Sequence, residues 1–207
     1  VSEFSLLDLA DWRRQVSELY AEIRELSQAD PKGAHQQFRA TRDRLFKSHP
    51  ASPLIEQERA QFKTLSYFPY QSRYRVLGEA QLSERVELLE SELPEGTFRY
   101  QRFGEVRFKL DGKSHQLALH WVMGYGGGLF IPFTDRTAGD DSYGGGRYLV
   151  DAIKGADLGS RDGQLILDFN FAYNPSCAYN HRWVCPLAMR ENQLDVRIEA
   201  GEKLLKT

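Results

Sequence analysis

The pair Asp111-Gly112 separates two alternating runs, "EVRFKL" and "KSHQLALHW". Asp-Gly between such runs is a strong hairpin signal, because both central residues of a type I′ turn need φ > 0. The middle of the chain is therefore committed to antiparallel sheet. Alternation sets Val106, Phe108 and Leu110 on one face, with Leu117, Leu119 and Trp121 placed to pack beside them. Asp162-Gly163 is a second turn, directly before "QLILDFNF". After Tyr67, short β-rich runs succeed one another without a helical period: Tyr74–Ala80, Val86–Leu89, Thr97–Phe103, Glu105–Leu110, Ser114–Met123, Leu129–Phe133, Arg147–Val150, Gln164–Phe171 and Asp195–Ile198. Closely spaced strands with no helices between them predict an antiparallel β-sandwich or a partly open barrel.

Before Tyr67 the period is helical. Leu9, Trp12, Val16, Leu19, Ile23 and Leu26 recur at spacings of three and four, one apolar stripe on a helix from Ser5 to Ser27. Ser5 and Asp8 form a capping pair at its start. Asp30-Pro31 supplies an N-cap and a first-turn proline for a second helix carrying Phe38, Leu45 and Phe46, which stops before His49-Pro50. Ser52-Pro53 repeats that signal for a short third helix through about Phe62. The stripe suits a cover packed on the protein's own sheet better than a coiled coil. The expected class is α+β, mainly β: one domain over 1–207, with residues 1–64 as helical cover and 65–207 as β-rich body.

Composition narrows the partners. A formal charge of −2 gives no basic footprint for nucleic acid. No run of ~18 apolar residues exists to span a membrane. The start, "VSEFSLLDLADWRRQ", lacks the basic and apolar regions of a signal peptide. Cytoplasm is the expected compartment, where the two cysteines are reduced thiols. Oligomer formation is compatible with this composition.

The chemistry-bearing residues cluster late in the chain. Two glycine triplets, in "GYGGGLFIPF" and "YGGGRYLVD", can cradle an anion on backbone N–H groups or form sharp corners in a barrel. Neither fits a phosphate-binding or dinucleotide-binding fingerprint, and strands rather than helices follow them. Arg147, after the second triplet, suits a carboxylate or phosphate. Asp140 and Asp141 read as turn residues, whereas Asp135 follows a short apolar strand that holds it in place. In "DFNFAYNPSCAYNHRWVCPL", alternation sets Asp168 and Asn170 opposite Phe169 and Phe171. A buried Asp168 needs a cationic partner, and Arg147 is the candidate.

Cys177, His181 and Cys185 recur at intervals of four. That is not a standard zinc spacing, and a fourth ligand would have to come from His35, His49, His115, His120 or a carboxylate. A disulfide and a thiol nucleophile with His181 or His120 as base are alternatives, and two inert apolar thiols are the simplest reading. Ser142 and Ser176 lack the glycine context of a hydrolase elbow.

"LFIPFTDRTAGDDSYGGGRYL", "DFNFAYNPSCAYNHRWVCPL" and "ENQLDVRIEAGEK" resemble a prokaryotic family known as domain of unknown function 1684, over Trp12 to about Lys203. The resemblance implies no activity, cofactor or catalytic residue. Relatives of this type can carry secretion or lipoprotein signals, which bears on the oxidation state of the cysteines.

The expected function is binding of a small polar or anionic ligand in a pocket built from the two glycine-triplet loops and the Asp168–Cys185 segment. Arg147, Tyr143, Asp168, Asn170, Tyr173 and Asn174 would supply its polar groups, and Phe133, Tyr179 and Trp183 its apolar walls. No metal is assigned and the cofactor is open. The alternatives are a hydrolase or transferase using Cys177 with a histidine such as His181, or Asp135 and Asp168 as an acid–base pair, and a non-catalytic structural or interaction module.

Overall fold

The computed structural model describes residues 4–93 and 96–205. Its helices are α1 (Leu6–Ala29), α2 (Pro31–Ser48) and α3 (Glu56–Gln61). The Ser5–Asp8 capping box is formed, and Asp30 caps α2 by accepting the Gly33 N–H at 2.9 Å. α3 begins later than Ser52-Pro53 predicts. The Ser52 hydroxyl is engaged elsewhere, donating to the Phe46 carbonyl at 2.6 Å and accepting from Leu54 N–H at 3.2 Å, so it closes the turn after α2.

The strands are β1 (Arg75–Leu93), β2 (Gly96–Leu110), β3 (Lys113–Val122), β4 (Gly128–Phe133), β5 (Arg147–Asp151), β6 (Ser160–Arg161) and β7 (Gln164–Asp168). They form one seven-stranded antiparallel sheet in the order β5-β4-β3-β2-β1-β7-β6, curled into a half-barrel behind the helices. Asp111 and Gly112 take φ 48° and 78°, and Asp162 and Gly163 take 51° and 79°, as type I′ turns require. The four runs predicted between Tyr74 and Leu110 are two long strands. The apparent breaks are irregularities at Leu82/Glu87 and at Arg102/Gly104, which bend a strand without ending it. A Cβ on Gly104 would meet the Gln81 carbonyl at 2.4 Å, so the strands can approach there only at glycine.

The sheet is covered on both faces, and alternation sorts the side chains between them. Val106, Phe108, Leu110, Leu117, Leu119, Ile131 and Leu149 form one core with Leu194, Ile198 and Ala200 of the C-terminal tail. Their neighbours Phe130 and Tyr148 pack with Leu19, Tyr20, Ile23 and Phe38 of the helices. Trp121 corrects the expectation: it continues the Leu117–Leu119 face past the end of that core and is 42% exposed. Asp195–Ile198 forms no strand. It is held by Arg136 N–H on the Val196 carbonyl at 3.0 Å and Ile198 N–H on Asp135 Oδ2 at 2.6 Å.

Three arginine–carboxylate pairs with buried carboxylates pin this arrangement: Arg42–Glu202 at 2.8 Å, Arg75–Asp168 at 3.1 Å and Arg147–Asp135 at 3.1 Å. Arg147 also donates to the carbonyls of Ile198, Ala200 and Glu202, so it serves as a peg for the tail. Replacing Arg147 with Met would leave the Asp135 carboxylate buried without its cation and those carbonyls short of a donor. We expect a loss of about 3–5 kcal/mol, read from denaturant unfolding of the two proteins.

Candidate functional site

A cleft of about 190 Å³ lies where the helical cover meets the C-terminal loop. From α1 come Leu9, Trp12, Arg13, Val16 and Tyr20, which share one helical face; from α2 come Arg42 and Phe46, four residues apart. The stripe read from the sequence thus divides. Leu19 and Ile23 face the sheet, while Leu9, Trp12 and Val16 border the cleft. The opposite wall is Lys154 with Tyr173, Asn174, Ser176, Trp183, Val184 and Cys185.

One carboxylate lies behind the cleft lining. Glu202 accepts from Arg42 Nη2 at 2.8 Å, from the Asn174 backbone N–H at 2.9 Å and from the Tyr179 hydroxyl. Burial raises the Glu202 pKa, opposed first by Arg42. Arg42 Nε donates to the Tyr67 hydroxyl at 2.9 Å, and its guanidinium lies over the Phe38, Phe46 and Tyr173 rings. Lys154 is backed by Asp151 at 3.0 Å, and Asp151 accepts from the Tyr173 hydroxyl at 3.1 Å. Neither Glu202 nor Asp151 lines the cleft, so the cations stand in front of their partners. Two lining residues keep a buried polar atom without a partner within the described residues: Asn174 Oδ1 and Trp183 Nε1. Asn174 spends its amide N–H on the Lys203 carbonyl at 2.9 Å, which leaves the oxygen.

Both cysteines are free thiols. Cys185 Sγ accepts the Cys177 backbone N–H at 3.4 Å, and the two thiols are within hydrogen-bonding reach of each other. The hydrogen bond from Cys177 pulls the Cys185 pKa down to about 6, helped by the backbone N–H groups of Cys177 and Ser176 and by the charge on Lys154. Cys177 moves up in consequence. The Tyr143 hydroxyl lies 3.8 Å from Cys177 Sγ, and burial with that contact pushes Tyr143 up to about 12.

Of the residues named from sequence, Tyr173 and Asn174 line this cleft and Tyr143 stands behind Cys177. Arg147, Asp168 and Asn170 lie elsewhere. The expected Arg147–Asp168 pair does not form: Arg147 holds Asp135, and Asp168 takes Arg75 on the adjacent strand β1. Asn170 donates to Asp168 Oδ1 at 2.8 Å and to the Gln71 carbonyl at 2.9 Å, and accepts the Gln71 N–H at 3.0 Å. That closes a side-chain and backbone network with no polar atom to spare for a ligand. The glycine triplets do not border the cleft either. Gly126 and Gly127 form the β3–β4 corner, and Gly146 turns the chain into β5 with φ 92°, where a Cβ would meet the Phe133 carbonyl at 2.6 Å. Trp183 lines this cleft, whereas Phe133 is in the core and Tyr179 binds Glu202.

Among the described residues, no group of three His, Cys, Asp or Glu side chains could hold a metal ion. His181 is exposed, and His120 is buried on β3 with Glu191 Oε1 at 3.4 Å. No histidine lines the cleft with Cys185. Asp135 and Asp168 sit in separate ion pairs. Among the described residues no helix is long and apolar enough to cross a membrane.

Arg13, Arg42, Lys154 and Glu202 escaped the sequence reading. Two had a signal. Arg42 follows Phe38 by four residues on the apolar face of α2, and Glu202 continues the alternation of buried Ile198 and Ala200.

The family model for proteins of unknown function, DUF1684, matches residues 60–203, the whole β body and tail. The chain belongs to this family. The match begins in α3, so the helical stretch from Trp12 within the sequence resemblance lies outside it. The solution NMR structure of an uncharacterised protein from Haloarcula marismortui is similar to this DUF1684 chain at 36% sequence identity, with a TM-score of 0.61, covering 86% of this chain and 96% of that one. No curated protein matches the chain.

The thiolate is the reactive form of a cysteine. Alkylation of Cys185 by iodoacetamide, followed by peptide mass spectrometry, should therefore rise with pH through about 6, well below the ordinary thiol range. Lys154→Met should move that midpoint upward.

Proposed function

We propose that this DUF1684 protein binds a small anionic molecule, and that its site is the cleft between α1, α2 and the C-terminal loop rather than a pocket among the glycine-triplet loops. One observation carries the reading: the cleft is lined by Arg13, Arg42 and Lys154 and by no carboxylate. Cationic walls of low polarisability focus a field that favours a carboxylate.

Trp12, Val16, Phe46 and Val184 supply apolar surface beside these groups. The ligand class is thus a carboxylic acid with a modest apolar part, small enough for a cleft of about 190 Å³. Tyr173 and Asn174 keep the binding role expected from sequence. Tyr143 acts on the thiols, and Arg147, Asp168 and Asn170 hold the body together.

Isothermal titration against amino and hydroxy acids, with their amides and amines as controls, checks the proposal. The acids should bind and the uncharged or cationic controls should not. Arg13→Gln and Lys154→Met should each weaken binding by about tenfold or more, and Arg13→Gln should do so with little change in unfolding midpoint, since its side chain lies in no core cluster. Equal binding of acids and amides, or full affinity in the double variant, would sink the reading.

A further inference from the structure

The geometry points to a second capacity in the same cleft: Cys185 is a nucleophile toward small disulfides, and Cys177 is the thiol that resolves the mixed disulfide it forms. Four observations support this. Cys185 lines the cleft, so a small molecule can reach its sulfur. That sulfur accepts the Cys177 backbone N–H at 3.4 Å and faces the charge of Lys154, both of which favour the thiolate. Cys177 is not among the lining residues; its sulfur is reached from Cys185 on one side and from the Tyr143 hydroxyl at 3.8 Å on the other. Finally, both cysteines are free thiols, the form from which this exchange starts.

The reaction balances on these groups and one disulfide, RSSR. The Cys185 thiolate attacks one sulfur of RSSR; a Cys185–SR bond forms, the RSSR bond breaks, and RS⁻ leaves with a proton from solvent. Cys177 then loses its proton to solvent and attacks the Cys185 sulfur. The Cys177–Cys185 bond forms as a second RS⁻ leaves and is protonated. Two protein thiols are oxidised, one disulfide is reduced, and the two protons end on two RSH. The attacking thiol has its pKa near ambient pH, where exchange is fastest, and it is the one that lines the cleft. The choice of RSSR rests on the anion-binding reading: Arg13 and Lys154 favour a disulfide that carries carboxylates.

Oxidised glutathione and cystamine, an anionic and a cationic disulfide, are the probes. Each is added to the intact reduced protein, quenched with acid and read by mass spectrometry. With oxidised glutathione the wild type should end as an internal disulfide and release glutathione. Cys177→Ser should stop at a stable glutathione adduct on Cys185, and Cys185→Ser should react at least tenfold more slowly. An adduct that forms in Cys185→Ser as fast as in Cys177→Ser overturns the assignment, and so does a wild type that reacts only after unfolding. Persistence of the glutathione adduct in the wild type overturns the resolving role of Cys177. Cystamine separates this proposal from the anion site. Equal rates for the two probes, with resolution intact, would leave the dithiol standing and remove the carboxylate preference.

Discussion

A single carboxylate organises the cleft and much of the chain around it. Glu202 belongs to a tail with no helix or strand of its own, yet it collects the guanidinium of Arg42, the Tyr179 hydroxyl and the Asn174 N–H. Those donors belong to α2 and to the loop that carries the thiols. Taking Arg42 and Glu202 out of water is costly, and the pair is tolerated only because the carboxylate meets three donors and the guanidinium lies against aromatic faces. The pair thereby specifies where α2 sits on the body. Asn174 and Arg42 become cleft lining as a consequence, and the remaining wall of α1 follows through the α1–α2 core of Leu19, Tyr20, Ile23 and Phe38.

The parts of this fold legible in the sequence are those fixed by near neighbours. Asp111-Gly112 and Asp162-Gly163 turn as type I′ because their φ requirements are local, and Asp30-Pro31 starts α2 for the same reason. Strand continuity was harder to read. Gly104 looks like a break in an alternating pattern, but it is the one residue whose missing Cβ admits the Gln81 carbonyl, and the strand runs on through it. The tail was least legible. Its backbone groups are satisfied by Asp135, Arg147 and loop carbonyls, which impose no period on the sequence.

The candidate site divides along the same line. Tyr173 and Asn174 could be named because asparagine before proline announces a turn with oriented polar groups. Arg147 and Asp168 were matched with each other because each needed a partner, and a single sequence cannot distinguish which arginine meets which carboxylate. The structure pairs Asp168 with Arg75 across the β1–β7 ladder, where the two residues are directly opposite. Arg147 reaches the tail from β5. Both pairings depend on strand order, and strand order is decided by the whole sheet. Arg13 and Lys154 carry no local mark at all, since an exposed cation on a helix and another in a short turn are ordinary surface residues.

The cysteines belong to this picture because of where the helical cover ends. Had α1 and α2 lain lower on the loop, both thiols would sit in a dry core and behave as small apolar side chains. Instead Trp12, Val16 and Phe46 border a gap whose other wall holds Cys185, Trp183 and Lys154. Of the pair, Cys185 lines the cleft and Cys177 contacts Tyr143. The hydrogen bond from Cys177 favours the thiolate on Cys185, the residue beside the cleft. A spacing of eight residues in sequence could not have indicated which of the two would border the cleft; the packing of two helices against the loop decides it.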